Sequence, residues 1–234
     1  MRLDNIGDEI WIADGPTVSF YGFPYPTRMA LVRLESGDLW VWSPVDIDSE
    51  LRAEIDALGR VRHVVSPNKI HHLFLGVWAE HWPEARLYAS PGLEKRRTDL
   101  DFEAELGDEP EPAWDGQIDQ VVVRGSFAME EVVFFHRRSS TCLVCDLIQR
   151  HDPDRLSGWK GVLMRLDGLV GADGSTPREW RLSFIHRSRA RAAAETALGW
   201  RPERLVVAHG DWAPDHGTEA LQHGLRWLVP SSKT

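Results

Sequence analysis

Cysteine is nearly absent: the 234 residues contain two, Cys142 and Cys145. Their C-x-x-C spacing suits a redox or zinc motif only on a turn or helix start. Here they fall within Thr141-Cys142-Leu143-Val144-Cys145, which reads as a strand. Residues i and i+3 of a strand point to opposite faces, so these are expected to be two buried, reduced thiols. No apolar run approaches the ~20 residues of a membrane span. The first residues carry Asp4 where a signal peptide would place an apolar core, and a cytoplasmic protein is the expectation. Basic charge is scarce as well, at 27 Lys and Arg against 36 Asp and Glu. A net charge of -9 argues against nucleic acid as a partner, which needs a basic surface, and no membrane partner is expected. The arginines between Arg178 and Arg191 form one local basic patch, read as a solvated helix face. No glycine-rich phosphate loop of either common kind is present.

What remains is the balance of an ordinary globular chain, 42% hydrophobic and 27% charged, with eleven tryptophans scattered without a period. The length suits one large domain, and no linker divides it. Glu9 to Ala13, Arg28 to Leu34 and Leu39 to Trp42 read as strands, the last two as a hairpin around Ser36-Gly37-Asp38. Asp48 caps a helix over Ser49 to Leu58. The strand Val61 to Val65 follows, then a helical segment Leu73 to His81 and a strand Ala85 to Ala89. Pro91 is expected to open a short helix through Lys95, and Asp99 to Asp115 to form a surface excursion. Ile118 to Val123 is a strand; Glu131 to Phe135 and Thr141 to Cys145 form a hairpin. Arg155 to Pro177 resists assignment. A helix over Arg187 to Leu198, a strand over Leu205 to Ala208 and a helix over His216 to Leu228 close the chain. The mixture suits a single α/β domain, residues 1–234, in which two sheets carry helices outside.

Metal-ligating side chains cluster at strand ends. His71 and His72 follow Val61 to Val65, Asp146 follows the apolar run Cys142 to Cys145, and His209 follows Leu205 to Ala208. Separate strands deliver side chains to one edge of a sheet, so three such residues at strand C-termini can converge.

The phrases HVVSPNKIHHLFLGVW, YASPGLEKR, EEVVFFHRRSSTCLVCDLI and VVAHGDW, with their spacing, resemble the metallo-β-lactamase fold. Within it they resemble an uncharacterised branch of bacterial and plant proteins, a domain of unknown function with a degenerate metal motif. The resemblance covers nearly the whole chain and implies a four-layer αββα sandwich. In active members the first motif reads H-x-H-x-D-H, and further ligands come from a Gly-His turn, a bridging aspartate and a late Gly-His-Gly-like turn. Together they hold one or two zinc or iron ions that activate water.

Against that pattern Pro67 and Lys69 stand at the first two histidines. His71 stands at the motif aspartate and His72 at the last histidine. Ser126, after Gly125, stands at the Gly-His ligand; Asp146 matches the bridging aspartate and His209 the late histidine. The resemblance therefore implies that the first metal position has lost three of four ligands, with Lys69 and Ser126 among the replacements. The second keeps His71, His72, Asp146 and His209. The Lys69 ammonium is expected either to pair with Asp146 in place of a metal or to face solvent. Tyr21, Tyr25, Asp211 and His216 are candidates for supporting or substrate-binding roles, and Asp215 for the N-cap of the last helix.

Two readings stay open on sequence. One is a metal-free protein that binds an unknown small-molecule ligand or acts as a scaffold. The other is a hydrolase with a single zinc or iron ion acting on an ester, thioester or lactone. A homodimer is compatible with either.

Overall fold

A computed structural model describes residues 1–20, 22–152, 154, 158–171 and 174–230. Two sheets face one another. The larger takes seven strands in sequence order: β1 (Asp4–Gly7), β2 (Ile10–Phe20), β3 (Phe23–Arg33), β4 (Asp38–Trp42), β5 (Arg60–Val65), β6 (Arg86–Ala89) and β7 (Ala104–Glu105). It is antiparallel from β1 to β4 and parallel from β4 to β7. The smaller runs β11-β10-β9-β8, from β8 (Ile118–Val123), β9 (Glu131–His136), β10 (Thr141–Val144) and β11 (Arg204–Val207), with β10 and β11 parallel.

Strand alternation sorts the side chains into three apolar layers. Trp40, Trp42, Val65, Trp114, Phe134, Leu143 and Val206 fill the space between the sheets. Leu31, Leu39, Val41 and Val64 turn to the other face of the large sheet. There they meet α1 (Ser49–Leu58) through Leu51 and Ile55, and α2 (Leu75–His81) through Leu75 and Trp78. On the outer face of the small sheet, Val121, Phe135 and Val207 pack against α4 (Arg178–Ser183), α5 (Arg187–Gly199) and α6 (Gly217–Gly224). The arrangement is the expected four-layer αββα sandwich. Cys142 and Cys145 are both buried and unbridged, and they fall in different apolar layers, as their spacing on a strand requires.

Several sequence expectations hold closely. The Asp48 carboxylate accepts from the Leu51 N–H at 2.8 Å, capping α1 over the expected residues. Others need correction. Residues 91–95 make turns rather than a helix. The acidic excursion after Asp99 contributes β7 and the fully buried Trp114, whose indole packs on Trp40 at 6.1 Å between ring centroids. One inward tryptophan outweighs the surrounding charge, because burying an aromatic of that size contributes roughly 2–3 kcal/mol. The unassigned region contains α3 (Gly158–Leu166). Asp215 does not cap α6: His216 holds that place in a left-handed conformation, with no side-chain cap bond.

His136 and Ser139 flank the β9–β10 turn. The Ser139 hydroxyl donates to Thr141 Oγ1 at 2.8 Å, so its oxygen accepts from His136 Nδ1 at 2.7 Å. All three side chains are buried, so this is a structural chain of hydrogen bonds. Burial, aided by Arg138, pushes His136 down to about 4. An unfolded chain takes up this proton near pH 6.5, whereas the folded one does so near 4. Stability is therefore intact above pH 6.5 and falls as pH drops towards 4, by at most about 3 kcal/mol from this residue. Denaturant midpoints measured across that window are expected to fall with acidification, and His136→Asn is expected to flatten that fall.

Candidate metal centre

Three loops bring the site together at the C-terminal ends of parallel strands. The turn after β5 carries Asn68 and His71, the residues after β10 carry Asp146 and Gln149, and the turn after β11 carries His209. Imidazole Nε2 atoms of His71 and His209 stand 3.0 Å apart. His71 Nε2 is 3.3 Å from one Asp146 oxygen and His209 Nε2 is 3.2 Å from the other. Asp146 and His209 are buried and His71 nearly so.

Each of the three side chains is aimed by a further contact. His209 Nδ1 lies 2.6 Å from the Pro26 carbonyl oxygen, which can only accept, so that nitrogen carries a proton and Nε2 faces the cluster. The Arg28 guanidinium holds the same turn, donating to the carbonyls of Val207 at 3.0 Å and Gly210 at 2.6 Å. Gly210 has φ +96°, and a Cβ there would overlap the Arg150 carbonyl, so the turn needs glycine. His71 Nδ1 pairs with the Ser43 hydroxyl at 3.0 Å. Asp146 accepts from the Asn68 amide at 2.8 Å and the Gln149 amide at 3.2 Å. Gln149 is set in turn by His151, 3.2 Å from its amide oxygen. Such outer contacts fix ring orientation and tautomer at metal sites.

Charge follows the geometry. Burial opposes the ionised form of Asp146, yet the two imidazoles beside it hold it well below the usual carboxylate range. His71 is pulled down by burial. His209 also meets a burial penalty, but its bond to Asp146 and that residue's charge raise it overall. Burial, then the Asp146 charge, push Tyr25 up to about 12, so this phenol stays neutral beside the His209 ring, 5.1 Å away between centroids.

Asn68 and Glu131 were not singled out on sequence, and they occupy the place expected of Lys69. The Asn68 amide nitrogen donates to Asp146 and, at 3.0 Å, to Glu131. Its oxygen accepts from the backbone N–H groups of Ile70 and His71, so the amide has one consistent orientation. Glu131 is fully buried and also accepts from the backbone of Cys145, Asp146 and Leu147. Burial and Asp146 push it up to about 8, while its hydrogen-bond partners, the Asn68 amide and three backbone N–H groups, are donors that satisfy the ionised form. Glu131, Cys145 and Asp146 also lie close enough to form a ligand group. Glu131 is committed to N–H donors, and burial pushes the Cys145 thiol well up, so this second group makes a poor metal site. The sequence signal was a glutamate opening the apolar run Glu131 to Phe135, a placement that demands buried partners.

The remaining candidates fall elsewhere. Lys69 is half-buried in the turn, and the expected pair with Asp146 does not form among the described residues, where His71 and His209 are that carboxylate's ion-pair partners. His72 turns away from its neighbour: Arg97 donates to its carbonyl at 2.7 Å and lies 3.4 Å from its Nδ1. The group of possible ligand atoms is His71, Asp146 and His209, without His72. Ser126 bonds the Ser183 hydroxyl at 2.6 Å and caps the N–H groups of Ala128 and Met129. Asp211 is exposed and contributes its backbone to Arg150, and His216 is exposed near Glu219; neither reaches the cluster. Tyr21 lies outside the described residues.

The donor set fits one small cation. Nitrogen and oxygen ligands about 2.0 Å from a tetrahedral zinc stand about 3.3 Å apart. The two nitrogens stand 3.0 Å apart, and each lies 3.2–3.3 Å from a different Asp146 oxygen, so the carboxylate straddles the pair and one atom from each residue lies within 4.8 Å of the others.

The whole chain has the metallo-β-lactamase fold. It overlays on the DIM-1 metallo-β-lactamase exposed to ceftazidime with a TM-score of 0.67 at 16% identity, covering 97% of this chain and 95% of that one. For the Pontibacter korlensis metallo-β-lactamase the score is 0.65 at 13% identity, covering 98% and 99%. For the mono-zinc form of FIM-1 from Pseudomonas aeruginosa it is 0.61 at 13%, covering 98% and 96%. Within this fold, residues 7–155 match the family described as a domain of unknown function, DUF4336, and the chain belongs to it. A comparison with curated proteins found no match.

Asn68→Ala removes the donor that separates two buried carboxylates. It is expected to cost about 2–4 kcal/mol in chemical denaturation, whereas Lys69→Ala is expected to change stability by less than about 0.5 kcal/mol.

Proposed function

We propose that this protein is a mononuclear metal-dependent hydrolase of an ester, thioester or lactone, with His71, Asp146 and His209 as its metal ligands. The observation that carries the reading is the convergence of two Nε2 atoms and a carboxylate at 3.0–3.3 Å. Two histidines and one carboxylate suit zinc or ferrous iron and leave positions open for water and substrate. A bound ion would supply a Lewis acid that lowers the pKa of a coordinated water towards neutrality.

The chain's own residues prepare for this. Pro26 holds the proton of His209 on Nδ1 and so keeps the Nε2 lone pair available for an ion. Ser43 fixes the tilt of the His71 ring. The amides of Asn68 and Gln149 hold the Asp146 carboxylate in one orientation, which reduces the reorganisation that binding would require. Tyr25 walls the cluster with a neutral ring.

A second reading has its own support. The network also stands without an ion, because a doubly protonated His209 donates through Nδ1 to Pro26 and through Nε2 to Asp146. A binding protein or scaffold without metal would keep that arrangement.

Elemental analysis of protein purified without chelator or affinity-tag metal separates the two. Near-stoichiometric zinc, iron or manganese is expected, with a melting temperature that falls on chelation. His71→Ala and His209→Ala are expected to lose the metal and His72→Ala to keep it. Metal far below one equivalent, with no rise in melting temperature on adding these ions, would establish the metal-free protein. Hydrolysis of ester, thioester and lactone probes by the loaded protein, lost in His209→Ala, tests the activity.

A further inference from the structure

The net charge of -9 conceals a strong segregation. Residues 158–191 hold seven Lys and Arg against three Asp and Glu, a segment of net +4 in an otherwise acidic chain. Five of the seven exposed large apolar side chains among the described residues lie there too, Leu73 and Phe127 being the others. Trp159, Val162 and Leu166 recur at i, i+3 and i+7 on α3, so they share one face, and they are 66%, 52% and 68% exposed. Leu182 and Ile185, at the end of α4 and just beyond it, are 70% and 66% exposed, and Phe127 is 73% exposed.

These elements form one connected ridge. Arg178 donates to the Leu166 carbonyl at 2.8 Å, and Arg178 and Arg181 both pair with Asp167 at 3.3 Å, joining the end of α3 to α4. The Phe127 N–H donates to the Ser183 carbonyl at 3.2 Å, joining the loop after β8 to the end of α4. Arg178 and Leu182 stand at i, i+4 on α4, so cation and apolar side chain share a face.

We propose that this ridge docks on a membrane surface containing anionic lipid. Apolar side chains rich in Trp, Phe, Leu and Ile, interleaved with arginines, are the composition that partitions into a headgroup layer. Exposed apolar clusters of this extent on a soluble surface mark interaction sites. A symmetric pair of these chains is disfavoured at this face, since a two-fold interface sets the same patch against itself and places two positive segments together. The ridge also touches the hairpin beside the metal-ligand cluster. Trp159 packs on Phe23 at 5.9 Å, two residues along β3 from Tyr25, which packs on His209. Docking would therefore bring the cluster close to the lipid surface. It does not depend on whether a metal is bound.

The test is co-sedimentation of the full chain with vesicles of neutral phosphatidylcholine, and with vesicles in which about a third of the lipid is anionic phosphatidylglycerol. Binding to the anionic vesicles is expected, weakened by salt. Leu166→Ser with Ile185→Ser is expected to weaken it about tenfold or more, with melting temperature and metal content unchanged. Because both residues are exposed, the variant retains the fold; Val162→Ser provides an independent second measurement. Absence of binding to anionic vesicles would overturn the proposal, as would equal binding by the variants. A dimer in sedimentation velocity that the variants dissociate, without vesicle binding, would assign the ridge to a second copy. Binding to an acidic polypeptide such as polyglutamate, but not to vesicles, would assign it to a protein partner.

Discussion

The buried Asp146 carboxylate organises this molecule. A charge at that depth is tolerated only when polar partners surround it, and the partners come from three separate loops: the His71 ring and Asn68 amide from the turn after β5, Gln149 from its own loop, and His209 from the turn after β11. Those loops belong to both sheets, so the site also fastens the two halves of the sandwich at one edge. Glu131 repeats the pattern one step deeper, with Asn68 between the two carboxylates. The packing of the sheets and the geometry of the site thus depend on one another.

The same constraint shapes the place where the resemblance implies a lost metal position. In the fold that this chain resembles, a second cation would neutralise the bridging aspartate. Here the Asn68 and Gln149 amides and two imidazoles surround it, and Glu131 anchors the Asn68 amide. Dipoles in place of an ion leave the remaining ligand set intact, because Asn68 bonds Asp146 through one oxygen and orients it towards the imidazoles.

Much of the fold was legible in sequence. Alternating apolar residues marked most of the strands, Asp48 marked the start of α1, and Gly37 marked a turn. The errors fell where a local pattern and a tertiary demand disagreed. Trp114 sits in an acidic stretch that reads as surface, yet it is drawn inward because the inter-sheet layer needs its volume. The Pro91 helix does not form, and Asp215 yields its capping position to His216. In the site, His71, Asp146 and His209 were legible because each follows an apolar strand. Asn68 and Gln149 were not, because a polar residue in a loop carries no sign of what it will face; Glu131 carried only the sign of a charge opening an apolar strand.

The sequence by itself determined the alternation of strands and helices, the placement of ligand-competent residues at strand ends, and the departures at Pro67, Lys69 and Ser126 from the motif it resembles. Only the tertiary structure decided that His71 enters the cluster while His72 turns to Arg97, and that Asn68 rather than Lys69 meets Asp146. The physical reason lies in the turn between Ser66 and His72. Side-chain direction there is set by hydrogen bonds from the Ile70 and His71 N–H groups to the Asn68 oxygen and from the Ser66 hydroxyl to the His71 carbonyl. Such bonds have no periodicity to read, and they acquire their meaning only when the other sheet supplies Asp146 and Glu131.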